Sequence, residues 1–417
     1  MADDENRHLA APEDYDALEP VDEDSYDEES QEGTTDAEMT GEAPSADFDP
    51  ALPTQHSYLG DSGEEVRGRV VLEEKIWIEL PLVSDHDIVL MPGQTIPLTA
   101  FQPSTISMLR NLITKDKTFG VRYSPEAKYG TTAEIYEYHD EPQFGMMFSV
   151  KAKGRQRFRV LETRRTIDRV EMGKLEILEE RILPDPLEAM RLSSLDRFGP
   201  ALSHRVPLTP HPPWLYNLYD PETVMKQVKK ALMKNMQFQG QCKTLGAMSA
   251  FIPKDPVKLS YWVAQNLPLE NAKKVFLLEL NSAVQRLRYE LSFLERSKFL
   301  LCRTCGLQLA NYQDIFPMSL EGPQGTYVNP GGHIHETLTF YKVISKLRLR
   351  GRPSKEHSWF PGYAWTIAEC PTCQCHLGWK FTAMSRGLKP KEFWGLCPRS
   401  LLLSLHGVME EEFRPTV

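Results

Sequence analysis

Two cysteine pairs constrain this chain more than any other feature. Cys302-Arg-Thr-Cys305 and Cys370-Pro-Thr-Cys373 are separated by the 64 residues 306–369, in a chain with only seven cysteines. A two-residue spacer lets both sulfurs of a pair converge on one ion, and two such pairs supply a complete tetrahedral set of thiolates for Zn²⁺. With all four ligands sulfur, no corner is left for a catalytic water, so the expected ion is single and structural. The gap exceeds what a minimal zinc ribbon needs, so the ion is expected to staple a whole domain. The other readings are unrelated buried thiols or a redox pair.

The sequence between the pairs reads as strands. His335–Ile344 alternates and is rich in β-formers, as is Tyr363–Ile367. Gly351-Arg-Pro353 and Phe360-Pro-Gly362 punctuate them. Trp359 and Trp365 flank the second turn, which is expected to bring their rings towards each other. Trp379 and Phe381 lie two apart and so share a strand face. Three tryptophans could be ordinary core. Indoles set at a turn, with Glu356 and His357 just before the first of them, also suit the walls of a small pocket. Such a box excludes water and grips a flat or cationic group by its faces.

His357-Ser-Trp-Phe-Pro-Gly-Tyr-Ala-Trp365 and Gly378-Trp-Lys-Phe381, placed between and just after the cysteine pairs, resemble the thalidomide-binding (CULT) domain of the cereblon family. The resemblance extends through Tyr327-Val-Asn-Pro330 and His335-Glu-Thr-Leu-Thr339 to Phe393-Trp-Gly-Leu396. It implies that Trp359, Trp365 and Trp379 form an aromatic cage, with Phe381 behind it and Asn329, Pro330 and Glu356 at its rim. His357, by imidazole and backbone, and the backbone N–H of Trp359 would bond a cyclic imide. Two departures stand out. Cys375-His376 offers an alternative metal ligand, and the Gly331-Gly-His333 loop alters the rim.

A second resemblance covers the middle of the chain. Leu80-Pro-Leu82, Asp87–Gly93, Ile96-Pro-Leu98, Gly130–Ile135, Phe148–Gly154, Arg157–Leu161 and Leu175–Leu178 read as short strands of a curled antiparallel sheet. Met91-Pro-Gly93 and Gly154-x-x-Arg-Phe158 within them are similar to the N-terminal domain of Lon proteases. Leu277, Leu280, Val284, Leu287, Leu291 and Leu294 follow at steps of three and four, one stripe of a long helix, and Lon N-terminal domains end in a helical bundle. The chain carries no G-x-x-x-x-G-K-[ST] loop, which excludes a Lon-type ATPase.

The expected architecture is an α+β multidomain chain. A disordered acidic tail covers 1–56, a Lon N-terminal-like domain covers 57–300 with order beginning near Val70, and a zinc-binding CULT domain covers 301–410. Within the middle domain, about 186–266 forms a helical region for docking a partner. There Asp220-Pro-Glu opens a helix, with Val224, Val228, Ala231, Leu232 and Met236 on one stripe and Lys226, Lys229, Lys230 and Lys234 largely off it. That helix either packs on its own bundle or docks another protein. Residues 1–50 hold 19 acidic residues and one arginine, against a whole-chain net charge of −10. The body is therefore mildly basic, and no nucleic-acid motif accompanies that charge. No apolar run reaches membrane-spanning length. Cys242, Cys375 and Cys397 outline no disulfide framework, so a reducing cytoplasmic or nuclear setting is expected.

The resemblances imply a non-catalytic substrate receptor of a cullin–RING ubiquitin ligase. It would hold cyclic-imide degrons or thalidomide-like glutarimides in the cage. It would dock on the damage-specific DNA-binding protein, the β-propeller adaptor of the cullin-four ligases. Two other readings remain at this point. One is a zinc-stapled enzyme similar to methionine sulfoxide reductases, with Cys397 or Cys375 as nucleophile. The other is an aromatic-cage reader of a cationic group such as methylated lysine, with Glu356 as the nearest acid.

Overall fold

The chain enters the described structure through a strap. The computed structural model describes residues 46–60, 63–66, 68, 71–74, 76–84, 88–140, 147–182, 213–235 and 252–405. Strand β1 (Ala46–Asp47) and the single helical turn α1 (Leu52–Gln55) form the strap. The tail expected over 1–56 therefore ends earlier than its composition suggests. Phe48 buries its ring to 7% exposure against Phe360 and Tyr363, with centroids 6.4 and 5.4 Å away. One aromatic in a ready pocket outweighs acidic surroundings. Residues 1–45 and Val70 lie outside the described residues.

Seven strands build the middle sheet: β2 (Glu64–Glu65), β3 (Trp77–Val83), β4 (Thr95–Ala100), β5 (Thr118–Val121), β6 (Tyr129–Asp140), β7 (Phe148–Arg165) and β8 (Glu171–Ile177). Their order is β2-β6-β5-β3-β8-β7-β4, and β6 also pairs with β7, so the sheet closes on itself. The strands expected at 148–154 and 157–161 are one bulged 18-residue strand, β7. The expected strand at 87–93 is not one: residues 88–91 are buried but unladdered. The Gln94 side chain accepts from the Met91 N–H (3.0 Å), and Thr131 Oγ1 donates to the Leu90 carbonyl (2.7 Å), taking the place of ladder bonds. Helix α2 (Pro103–Ile113), opening with proline at its first position and burying Ile106 and Leu109, escaped the sequence reading.

Among the described residues five helices follow: α3 (Pro213–Tyr219), α4 (Pro221–Asn235), α5 (Pro256–Asn266), α6 (Asn271–Glu279) and α7 (Ala283–Arg296). The stripe expected to run through one helix from Leu277 to Leu294 is broken over 280–282. Buried Arg157 donates through Nη1 to the carbonyls of Leu278 and Leu280 (both 2.8 Å), and buried Arg286 donates to that of Leu280 (2.6 Å). Those carbonyls are thus satisfied outside a helix, which removes the cost of ending one there. Asp220 caps α4 as expected, its carboxylate accepting from the Thr223 N–H at 2.9 Å. Val224, Val228 and Leu232 are buried in the bundle core with α5 and α7 residues, while Lys226, Lys230 and Lys234 are exposed. The apolar stripe of this helix packs on its own bundle. Met236, Cys242 and most of 186–250 lie outside the described residues.

Helix α7 runs directly into β9 (Ser297–Cys302), which delivers the first cysteine. β9 lies between β10 (Gln308–Asn311) and β18 (Leu401–Leu405) in a three-stranded sheet. The larger C-terminal sheet has six strands: β11 (Gln324–Val328), β12 (Ile334–Phe340), β13 (Arg348–Ser354), β14 (Tyr363–Glu369), β15 (His376–Ala383) and β17 (Glu392–Leu396). Its order is β11-β12-β17-β15-β14-β13, and the two-residue strand β16 (Leu388–Lys389) pairs with β1 instead. The strand expected over 335–344 stops at Phe340.

The C-terminal sheet is anchored to the middle domain by polar contacts. Gln94 Nε2 donates to Thr326 Oγ1 (2.9 Å), and the Gln324 N–H donates to Asn266 Oδ1 (3.0 Å). Lys274, 1% exposed, pairs with Glu336 at 3.0 Å. Gly332, at φ +80, lies where a Cβ would meet Phe101 at 2.5 Å, so the loop flagged at 331–333 packs on the middle domain.

Candidate metal centre and aromatic cage

The four expected cysteines converge. Their sulfurs lie within 4.8 Å of one another, with Cys302–Cys373 at 3.6 Å and Cys305–Cys370 at 3.5 Å. Four sulfurs at about 2.3 Å from a tetrahedral ion would stand about 3.8 Å apart. Two tight turns present them. The Gly306 N–H donates to the Cys302 carbonyl at 2.8 Å, and the Gln374 N–H, in a residue at φ +59, donates to the Cys370 carbonyl at 2.9 Å. Backbone N–H groups of Thr304 and Cys305 bond the Cys302 sulfur, that of Leu307 the Cys305 sulfur and that of Cys375 the Cys373 sulfur; these bonds favour thiolates and hold Cys302 and Cys373 below the usual thiol range, while contact with the neighbouring thiols pushes Cys305 up. The donor set and its surroundings fit one four-coordinate metal ion. One pair follows β9 and the other joins β14 to β15, so such an ion ties the small sheet to the large one.

Cys375 adds a fifth sulfur, 3.5 Å from Cys302 and 3.4 Å from Cys373. Its neighbour His376 turns away and sets its ring against Trp379 at 4.9 Å. Cys397 is buried at 1% exposure, and burial pushes its thiol up to about 12, which leaves no thiolate there at neutral pH to attack a sulfoxide.

The register of β14 and β15 places Trp365 opposite Phe381 and Ile367 opposite Trp379. Directly opposed residues share a face, so all four point to one side, with Trp365 and Trp379 diagonal neighbours. Trp359 reaches this face from the turn before β14. Its ring meets Trp379 edge-on at 4.6 Å and 75°, so the tight ring contact is Trp359–Trp379 rather than the expected Trp359–Trp365. The indole N–H of Trp359 donates to the Val328 carbonyl (3.3 Å) and that of Trp365 to the Glu356 carbonyl (2.8 Å). These bonds fix both rings. Phe381, 1% exposed, stacks on Phe393 at 4.9 Å and 13° behind them. Gly395, opposite Trp379 on β17, stands where a Cβ would press on Thr337 and Phe381 at 2.6 and 2.9 Å.

The remaining expected residues surround this corner. His357 is exposed in a left-handed conformation, φ 50, beside exposed Glu356. Asn329 and exposed Pro330 lie in the β11–β12 turn, which Asn329 closes by accepting from the His333 N–H at 2.8 Å. Two bracing residues were missed. Tyr327 stacks on Trp359 at 5.1 Å and 9°, and His335 touches Trp359 and Trp379 at 5.7 and 5.2 Å. Both positions lie in stretches the sequence singled out, but nothing there distinguishes a brace from a strand residue. Burial, then Arg399 nearby, lowers His335 to about 4, so its ring is neutral at pH 7. The strap completes the back wall: His56 lies over Tyr327 at 5.8 Å, and the Tyr58 hydroxyl accepts from the Val328 N–H at 3.2 Å.

The fold and site define a class: a Lon-type substrate-binding domain whose helical bundle continues into a β domain with a four-cysteine cluster able to hold a metal ion and an aromatic corner. The model of the ATP-dependent protease La (LON) substrate-binding domain matches residues 79–296. The protein cereblon of Gallus gallus is 43% identical over 388 residues, covering 85% of this chain and 84% of that relative. That of Danio rerio is 41% identical over 417 residues, covering 92% and 94%, and that of Xenopus tropicalis is 42% identical over 385 residues, covering 85% and 84%. The chain belongs to the cereblon family.

Proposed function

We propose that this chain is a substrate receptor of a cullin–RING ubiquitin ligase, holding proteins by a cyclic imide in the Trp359–Trp365–Trp379 corner. Its one metal ion would be a structural Zn²⁺. The observation that carries the reading is the corner itself. Trp365 and Trp379 share a sheet face, Trp359 meets Trp379 at 4.6 Å, and two of the indole N–H groups are already bonded to backbone carbonyls. Rings with their donors satisfied present apolar faces, which suit the aliphatic part of a glutarimide. His357, and the backbone from Glu356 to Trp359, run past the mouth as partners for the imide edge. His357, Asn329, Pro330 and Glu356 would set its rim and Phe381 its floor.

In this reading the chain performs no bond chemistry. It binds an imide formed from C-terminal Gln or Asn, or a thalidomide-like drug that mimics it. It then presents the bound protein's lysines to a ubiquitin carrier, where proximity supplies the rate. The helical region about 186–266 would hold the damage-specific DNA-binding protein adaptor, in the cytoplasm and nucleus. Among the described residues no helix is long and apolar enough to cross a membrane. A pull-down from cell extract with and without a glutarimide tests the reading. The adaptor should co-purify in both arms and the protein complement should change with the drug. An identical complement in both arms, or no adaptor, would refute it.

A further inference from the structure

Tetrahedral coordination has four corners, and the metal centre has five thiols. The fifth, Cys375, is not remote. Its sulfur lies 3.4 Å from Cys373 and 3.5 Å from Cys302, as close as the pairs within the four-thiol set lie to each other. It stands over the Cys302–Cys373 edge and outside the set whose sulfurs all lie within 4.8 Å of one another. The turn that carries the second pair holds it there: Cys370 donates its N–H to the Cys375 carbonyl at 2.9 Å, closing the loop over Gln374.

Resting on the reading of the four thiols as a zinc site, we propose that Cys373 and Cys375 share one corner of the metal centre, with Cys375 able to take the position when Cys373 leaves it. Cys373 and Cys375 are both half-buried rather than sealed, so neither sulfur is locked by packing. One rotamer step carries a cysteine sulfur roughly 3 Å, the distance that separates the two. The exchange balances simply. The Cys375 thiol releases a proton as its sulfur bonds the metal, and the Cys373 sulfur takes one up as its bond breaks. No electrons move. Cys305 and Cys370 form the opposite edge, so loss of Cys305 has no comparable substitute.

The test uses the full chain, loaded with Co²⁺ in place of Zn²⁺ to read thiolate number from sulfur-to-metal charge-transfer intensity. Wild type and Cys375→Ser should show four-thiolate spectra. Cys373→Ser should keep the four-thiolate intensity and bind within about tenfold of wild type. Cys373→Ser/Cys375→Ser should drop to three thiolates and lose affinity at least about hundredfold, and Cys305→Ser should resemble that double variant. A three-thiolate spectrum for Cys373→Ser, matching the double variant, would overturn the proposal. A readout that needs no ligand variant is limiting alkylation of zinc-loaded wild type, mapped by mass spectrometry. Shared occupancy labels both Cys373 and Cys375, and Cys375→Ser reduces the label on Cys373. Label confined to Cys375 in wild type refutes sharing. A wild-type chain that binds no metal at all would instead overturn the metal centre, and this inference with it.

Discussion

Removing Lys274 tests how the sheet that carries Trp365 and Trp379 is held to the middle domain. Lys274 on α6 is 1% exposed and its ammonium meets both oxygens of Glu336 on β12, at 3.0 and 3.1 Å, while Glu336 is 11% exposed. Lys274→Met strands the carboxylate. Breaking a buried pair from one side costs about 3–5 kcal/mol, against about 0–1 for a surface pair. Glu336 also lines a cavity of about 290 Å³, through which water can reach it, so the lower end applies: about 3 kcal/mol. For a cooperative unit of about 300 residues, with an unfolding entropy of about 2.1 cal/mol/K per residue, that lowers the thermal midpoint by roughly 5 °C. Lys274→Met/Glu336→Met removes the charge from both sides and should recover most of the loss, with a coupling of at least about 2 kcal/mol. Scanning calorimetry of wild type, Lys274→Met, Glu336→Met and the double variant measures it. A single-variant loss under about 1 kcal/mol, or additive losses, would show that the pair is screened and anchors nothing.

Other perturbations follow from the same structure. Cys370→Ser, or a strong chelator, should unfold the C-terminal sheets and with them the proposed imide site, because an ion held by the four thiols would couple metal binding to folding; an unchanged thermal transition after chelation would contradict this. His56 is buried against Tyr58 and Tyr327, and burial, then Lys151, lowers it from 6.5 to about 3. The folded state thus excludes a proton that the unfolded state accepts, so stability is complete above pH 6.5 and falls as pH drops towards 3. By pH 5 the loss from this residue is about 2 kcal/mol. His56→Gln should lose that share of the acid sensitivity, and an identical pH profile for the variant would refute the assignment.

The parts of the fold that declare themselves through spacing were legible in the sequence. Two Cys-x-x-Cys pairs announce four sulfurs that converge, and Trp379 and Phe381 lie two apart on one strand, whose alternation fixes their common face, while Trp365 joins that face only through the register of the neighbouring strand. What stayed hidden depends on partners distant in the chain. The stripe from Leu277 to Leu294 is continuous in sequence, and only Arg157, more than a hundred residues earlier, takes the carbonyls that let the helix break. Phe48 reads as part of an acidic tail until Phe360 and Tyr363 supply its pocket. His335 reads as one of several strand residues until Trp359 and Trp379 close on it.

The most direct measurement of the central claim is a calorimetric titration of the metal-loaded chain with a glutarimide, its N-methyl derivative and trimethyl-lysine. Three indoles would cover the aliphatic face, while the imide N–H and carbonyls need partners at the mouth to offset their desolvation. The glutarimide alone should bind, N-methylation should abolish binding, and Trp365→Ala should weaken it at least about tenfold, about 1.4 kcal/mol, with metal content unchanged. Equal affinities for the imide and its N-methyl form, or preference for trimethyl-lysine, would contradict it.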